Sequence, residues 1–105
     1  MKVIQRGTMK IVPGKIGEAM ELTKKHMELT IKLGGPANWK YYRCLSGKDD
    51  YMHTLIGEAE WDSFADAEAF FGKMMVDKDM QQLMAKWDSV IDDHYIEFLI
   101  PMPTQ

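Results

Sequence analysis

The hydrophobic periodicity of this chain switches between the repeat of a strand and that of a helix in one particular order. Residues 2–12 alternate and contain Val, Ile and Thr, which favours a strand. Residues 15–33 repeat their apolar side chains at helical spacing, and the Gly-Gly-Pro sequence at 34–36 predicts the end of that helix. Residues 38–45 and 51–61 predict two further strands, and the polar, glycine-containing turn between them indicates an antiparallel hairpin.

The second half of the chain predicts helices followed by a last strand. Ser63 and Asp66 have the spacing of a helix-capping box, and Asp77 is placed to cap another helix. The amphipathic repeat of that helix continues to Ile91, and the last strand is predicted over residues 95–100. The order β-α-β-β-α-α-β is the split βαβ, or ferredoxin-like, arrangement. It predicts an α+β fold with a four-stranded antiparallel sheet.

Both faces of the predicted strands carry large apolar side chains. The first strand has Val3, Met9 and Ile11 on one face and Ile4, Thr8 and Val12 on the other. Helices in this arrangement cover one face of the sheet only, so the other face needs a second cover. A second copy packed sheet to sheet provides it, which predicts a homodimer. The alternative is a mixed solvent-exposed face, because Arg6, Lys10, Arg43 and Glu97 also lie on predicted strands.

Composition excludes several classes of protein. The 105 residues have no linker or repeat, so we expect a single domain over residues 1–105. A formal charge of −3 argues against a nucleic-acid partner. No apolar run approaches the ~20 residues that span a bilayer, and a charge comes too early for a signal peptide. Cys44 alone forms neither an internal disulfide nor a cysteine zinc site, so a cytoplasmic location is expected.

Three segments of the chain resemble the dimeric α+β barrel superfamily, which includes the NIPSNAP-like, EthD-like, stress-responsive and antibiotic-biosynthesis monooxygenase-like families. Residues 10–15 (KIVPGK) are similar to its strand–Pro-Gly-Lys–helix opening. Residues 61–70 (WDSFADAEAF) resemble its strand-end aromatic followed by an Ala-rich helix. Residues 79–83 and 97–99 resemble its last helix and strand. The NIPSNAP-like family is the nearest within it.

This resemblance implies two protomers whose sheets close into a barrel, with a small-molecule cavity between sheet and helices. The chemistry of the superfamily varies and includes cofactor-free oxygenation, isomerisation and haem breakdown. Haem-degrading members are expected to combine an Asn, a Trp and a His in the cavity. This chain has no Asn on its first predicted strand and no His in its last helix, which argues against that activity. No cofactor is predicted.

His26, His53 and Arg43 are the catalytic candidates. His26 lies within the apolar arc of the first helix, where loss of water would leave a neutral base. His53, on the third predicted strand, is expected to share a cavity with His26, and Arg43 would stabilise negative charge there. Each has an ordinary alternative: a histidine with one structural hydrogen bond, an interface histidine, and an arginine in solvent or paired with a strand glutamate.

Tyr42, Trp61 and Met27 are the ligand-binding candidates. The two aromatic residues belong to the central hairpin and could stack a flat ligand, although packing is the commoner role of strand aromatics. Met27 supplies an adaptable apolar surface, in a chain with ten methionines. His94 follows Asp92 and Asp93, where a helix end is expected rather than a metal site.

Three functions are compatible with these features. The first is a small-molecule-binding homodimer, including a cofactor-independent monooxygenase or isomerase acting on an aromatic or polyketide-like compound. The second is a non-catalytic dimer that binds a small apolar or aromatic ligand. The third is a structural dimerisation module with a filled interior. Fold alone does not select among them, and a cavity with convergent polar groups would favour the first.

Overall fold

The predicted order of elements is present in the structure. The computed structural model describes residues 1–103. In chain order the elements are β1 (Val3–Ile11), α1 (Ile16–Lys32), β2 (Lys40–Tyr42), β3 (Thr54–Trp61), α2 (Phe64–Met75), α3 (Lys78–Trp87) and β4 (Ile91–Leu99). The four strands form one antiparallel sheet in the order β2-β3-β1-β4. The prediction of an α+β, ferredoxin-like fold is confirmed.

The register of the sheet determines which residues lie beneath the helices. Gly7 of β1 lies opposite Gly57 of β3 on one side and Ile96 of β4 on the other. Directly opposite residues share a face, and the side of a strand alternates with each residue. The odd-numbered residues of β1, from Val3 to Ile11, therefore form the helix-facing side of the sheet, and the even-numbered residues form its far face.

The buried core lies between the sheet and the helices. One cluster consists of Ile11, Ala19, Leu22, Leu55, Met80, Leu83, Trp87 and Val90. A second, at the other end of the sheet, consists of Val3, Trp61, Ala67 and Phe70. Burial of a large apolar side chain contributes about 1.5–3 kcal/mol to stability, so these clusters account for the one-sided placement of the helices.

The start of each of the last two helices agrees with the sequence. The hydroxyl Oγ of Ser63 accepts a 3.1 Å hydrogen bond from the backbone N–H of Asp66. The carboxylate Oδ2 of Asp77 accepts a 2.8 Å bond from the N–H of Met80. Both bonds satisfy backbone donors that a helix start leaves without partners, so short-range chemistry alone sets these two boundaries.

The central hairpin is shorter than predicted. β2 consists of Lys40–Tyr42 rather than residues 38–45, and β3 begins at Thr54 rather than at residue 51. The guanidinium of Arg43 donates to the carbonyl oxygen of Tyr51 from Nε at 3.0 Å and from Nη2 at 2.7 Å. In a longer hairpin this carbonyl oxygen would accept a hydrogen bond from a backbone N–H of β2. Because the Arg43 side chain binds it instead, the two strands separate here into a wider polar loop.

The last helix and strand also meet earlier than predicted. α3 ends at Trp87 instead of continuing to Ile91, and β4 begins at Ile91 instead of at residue 95. The carbonyl of Val90 accepts a 2.8 Å bond from the N–H of Val12, directly after the end of β1. Pairing with β1 thus overrides the helical periodicity of Val90 and Ile91. It places Asp92, Asp93 and His94 on a strand.

Candidate functional site

A cavity of about 510 Å³ opens between the helix-facing side of the sheet and the three helices. Each strand and each helix contributes to its wall. Apolar and aromatic side chains make up most of the lining. The polar lining residues are Gln5, Thr23, His26, Thr30, Tyr41, Gln81, Asp88 and His94.

The floor of the cavity contains the two opposed glycines of the central strands. A Cβ atom added at Gly57 would lie 2.9 Å from Cε1 of Tyr41, closer than real Cβ contacts allow. A Cβ atom at Gly7 would lie 3.8 Å from Nε2 of His94, which is ordinary contact. Gly57 therefore lets the Tyr41 ring lie against the sheet, and Gly7 leaves bare backbone beside it.

Aromatic side chains form the wall on the β2–β3 side. The rings of Trp39 and Tyr41 are stacked, with centroids 6.2 Å apart and planes 15° apart. Trp61 packs against Phe70 at 5.5 Å and Phe71 at 6.4 Å. Burial raises the pKa of Tyr41 to about 12, so its phenol is protonated and uncharged at neutral pH.

Three buried polar atoms belong to residues that line this cavity and have no hydrogen-bond partner among residues 1–103. They are His26 Nδ1, Thr30 Oγ1 and Trp39 Nε1. A buried polar atom without a partner costs about 1–3 kcal/mol, so native proteins rarely leave three in one place. The arrangement is typical of a binding site whose ligand or solvent completes the hydrogen bonds.

Two histidines belong to the cavity wall, from α1 and β4. Burial lowers the pKa of His26 below its usual value near 6.5, and the neighbouring His94 lowers it further. Burial also lowers the pKa of His94, against an opposing effect of Asp93. Both imidazoles are therefore neutral at pH 7.5 and able to accept a proton from a bound molecule.

Of the predicted catalytic residues, the structure brings only His26 to the cavity. His53 lies in the turn before β3, and its Nδ1 is 2.6 Å from Oδ2 of Asp50. Arg43 lies over the ring of Tyr51, with Cζ 4.4 Å from the ring centroid. The expectation that His26 and His53 share a cavity is wrong, because β3 starts too late to carry His53 beneath the helices.

Of the predicted ligand-binding residues, only Trp61 lines the cavity. Tyr42 lies opposite Ile56 and therefore on the far face, where 45% of its surface is exposed. Met27 follows His26 on α1 and is half-buried, but it does not contribute to the cavity wall. Adjacent positions on a helix differ in direction by ~100°, so Met27 lies to one side of the surface on which His26 lines the cavity.

Several residues of the site were missed in the sequence. The sequence pattern predicts a helix end at His94, although alternation over residues 94–98 places His94 on one face with Ile96 and Phe98. A glycine inside a strand, such as Gly7, indicates that another group approaches the backbone closely, so the sequence does contain a pattern that points to Gly7. Nothing local marks Thr30, because its role depends on the absence of a partner in the folded state.

The described part of the chain gives no sign of two other kinds of site. Within residues 1–103, no three His, Cys, Asp or Glu side chains are grouped closely enough to hold a metal ion. None of the helices there combines the length and apolar character needed to cross a membrane.

Solved structures with the same fold include several NIPSNAP proteins. A NIPSNAP family protein from Agrobacterium tumefaciens superposes with a TM-score of 0.79 at 18% identity, over 99% of this chain and 89% of its own. A NIPSNAP-like domain protein from Burkholderia xenovorans gives 0.71 at 10% identity, over 99% and 88%. A conserved protein from Methanosarcina mazei gives 0.72 at 17% identity, over 93% and 90%.

These similarities show that the chain has the ferredoxin-like fold of the NIPSNAP proteins. No protein-family model and no curated protein matches the sequence. A second A. tumefaciens NIPSNAP family protein, described as having unknown function, aligns at 12% identity with a TM-score of 0.75, over 95% of this chain and 87% of its own. At such identities a shared fold carries no shared activity, and function must be argued from the site.

Proposed function

We propose that the protein binds a small, mainly apolar molecule in the cavity between its sheet and its helices. The observation that carries this proposal is that His26 Nδ1, Thr30 Oγ1 and Trp39 Nε1, three buried atoms without partners among residues 1–103, belong to residues that line one cavity. A structural dimerisation module is expected to have an interior filled by side chains, without such a cavity. Its volume of about 510 Å³ lies within the range of small-molecule sites.

Titration with N-phenyl-1-naphthylamine, a neutral dye that fluoresces in apolar surroundings, tests this proposal. We expect saturable binding of one dye per protomer. Gly7→Leu places a large side chain on the floor of the cavity and should abolish the signal. Gly17→Leu is the matched control, because nothing lies within 4 Å of a Cβ atom at Gly17 and this residue does not line the cavity. Equal binding by both variants would exclude the cavity as the site.

A second candidate is a cofactor-independent enzyme, such as an isomerase or monooxygenase, acting on an aromatic or polyketide-like compound. It is favoured by His26, whose lowered pKa leaves a neutral base and whose Nδ1 has no partner within residues 1–103. The indole N–H of Trp39 and the hydroxyl of Thr30 would stabilise negative charge that develops on a substrate oxygen.

Exchange of the α-hydrogens of 2-tetralone in D₂O, followed by proton NMR, tests for this base. Wild-type protein should accelerate exchange above the rate in buffer, and His26→Gln should remove the acceleration. His53→Gln is the control, since His53 lies outside the cavity wall. No acceleration by the wild type would leave the protein as a non-catalytic binder, and acceleration that survives in His26→Gln would exclude His26 as the base.

We also propose that the protein is a homodimer whose sheets pack far face to far face. On this face Ile4, Ile56 and Leu99 are half-buried within the chain, while Tyr42 and Tyr95 are exposed. A second copy would remove this apolar surface from water. Because one cysteine allows no internal disulfide, we further propose a reducing, cytoplasmic location.

One ion pair of the far face is compatible with that packing. Arg6 lies opposite Glu58 of β3 and Glu97 of β4. Its Nη2 is 2.7 Å from Oε2 of Glu58, and its Nε donates to the same oxygen at 2.7 Å. A charge that already has its partner can be covered at lower cost than an isolated one.

A further inference from the structure

Building on the proposed function, we propose that the cavity selects an uncharged, planar molecule that bears a carbonyl-type hydrogen-bond acceptor and binds with this acceptor on the indole N–H of Trp39. The floor formed by Tyr41, Gly57 and Gly7, the character of the unpartnered atoms and the charge of the wall each carry one part of this assignment.

The unpartnered atoms favour a ligand that accepts hydrogen bonds. An indole N–H can only donate, so Trp39 Nε1 requires an acceptor. The hydroxyl of Thr30 is also available, and the same helix provides a comparison. Thr23 donates from its Oγ1 to the carbonyl of Ala19 at 2.8 Å, whereas Thr30, only 1% exposed, has no such partner among residues 1–103.

The charge of the wall favours an uncharged ligand. No Lys or Arg of residues 1–103 lines the cavity, and Asp88 is its carboxylate. His26 and His94 are neutral at pH 7.5, for the reasons given above. An anion would enter without a counter-charge, and burial of an uncompensated charge is strongly unfavourable. A cation would leave the indole N–H of Trp39 without an acceptor.

The floor favours a planar ligand. Tyr41 lies against Gly57 at a distance that excludes a Cβ atom, and Trp39 is stacked on Tyr41 with only 15° between the ring planes. Gly7 continues the floor as backbone without a side chain. A flat ring can lie on such a surface with contact over its whole face, which a bulky, branched molecule cannot.

Three naphthalenes of similar size test the assignment: 2-acetylnaphthalene, 2-ethylnaphthalene and 2-naphthoate. The first compound has a neutral hydrogen-bond acceptor, the second has none, and the third has a negatively charged one. We expect 2-acetylnaphthalene to bind about tenfold more tightly than 2-ethylnaphthalene, as one added hydrogen bond implies. We expect 2-naphthoate to bind the most weakly.

The indole N–H signals in a ¹H–¹⁵N NMR spectrum give an independent readout. The signal missing in Trp39→Phe identifies Trp39, and it should move with 2-acetylnaphthalene but not with 2-ethylnaphthalene. Trp61 is the internal reference, because its Nε1 already donates to Oε1 of Gln5. Trp39→Phe should keep 2-ethylnaphthalene binding and lose the preference for the ketone.

Two results would overturn the assignment while leaving the binding cavity intact. One is equal affinity for the ketone and the hydrocarbon with the Trp39 signal unmoved, and the other is tightest binding of 2-naphthoate. If none of the three compounds binds and N-phenyl-1-naphthylamine also fails to bind, the proposed function itself is wrong and this assignment falls with it.

Discussion

The indole Nε1 of Trp61 donates a buried hydrogen bond of 2.9 Å to Oε1 of Gln5. The bond crosses from β3 to β1 on the helix-facing side of the sheet, and each residue is only 6% exposed. Both side chains line the cavity. A buried polar pair of this kind positions Trp61 in the wall while leaving its ring free to pack against Phe70 and Phe71.

Gln5→Leu should destabilise the protein by about 1–3 kcal/mol, because it leaves the N–H of Trp61 buried without its acceptor. Urea unfolding followed by circular dichroism measures the change. The double variant Gln5→Leu/Trp61→Phe removes both polar groups and should recover part of the loss. A double variant that loses more unfolding free energy than the two single variants lose together would contradict this account of the pair.

Phe98→Asp should destabilise the core by several kcal/mol. The sequence left open whether Phe98 belongs to the core or to a dimer interface, and the structure places it beneath the helices. Its ring meets Phe64 edge-on at 5.0 Å and Phe71 at 6.1 Å. Phe98 is half-buried, and a carboxylate there would lose the packing with these rings and be partly desolvated without a partner. Tyr95→Asp, on the far face, is the comparison and should leave the protomer folded in thermal unfolding measurements.

Sedimentation equilibrium at micromolar concentration should give twice the protomer mass of 12.1 kDa. Ile56→Glu places an extra charge on the apolar part of the far face and should shift the equilibrium to the monomer. Gly17→Leu, on α1, should leave the mass unchanged. A wild-type mass of one protomer would exclude the sheet-to-sheet dimer.

Stability should fall as the pH decreases below about 6.5. His26 and His94 have lowered pKa values in the folded protein, so the unfolded chain binds protons at a higher pH than the folded one does. Their contribution is complete above the unfolded value and is lost as the pH falls towards the folded values, with a slope of at most about 1.4 kcal/mol per pH unit for each histidine.

Urea unfolding at pH 7.5, 6.5 and 5.5 measures this dependence. His26→Phe removes one of the two groups and should flatten the curve. Met27→Leu changes the adjacent helix position without a titratable group and should keep the wild-type slope. An identical slope in His26→Phe and the wild type would mean that His26 does not lose its proton on folding.

Local patterns in the chain were enough to establish the order of the elements, but they left open which side of the sheet the helices cover. The caps at Ser63 and Asp77 could be predicted because their hydrogen bonds join residues three positions apart. The alternation in β1 likewise separates its two faces without reference to any other strand. Such features depend only on residues a few positions apart in the chain, so they can be predicted from the sequence alone.

The candidate site depended on contacts between distant parts of the chain. β4 begins where it can pair with the edge of β1 that β3 does not occupy, and this pairing brings His94 to the cavity, whereas local periodicity predicts a helix end there. The hairpin opens where Arg43 binds the carbonyl of Tyr51, which leaves His53 outside the cavity. Strand ends are decided by the partner strand's hydrogen bonds, and so no periodicity within one segment can predict which side chains finally meet.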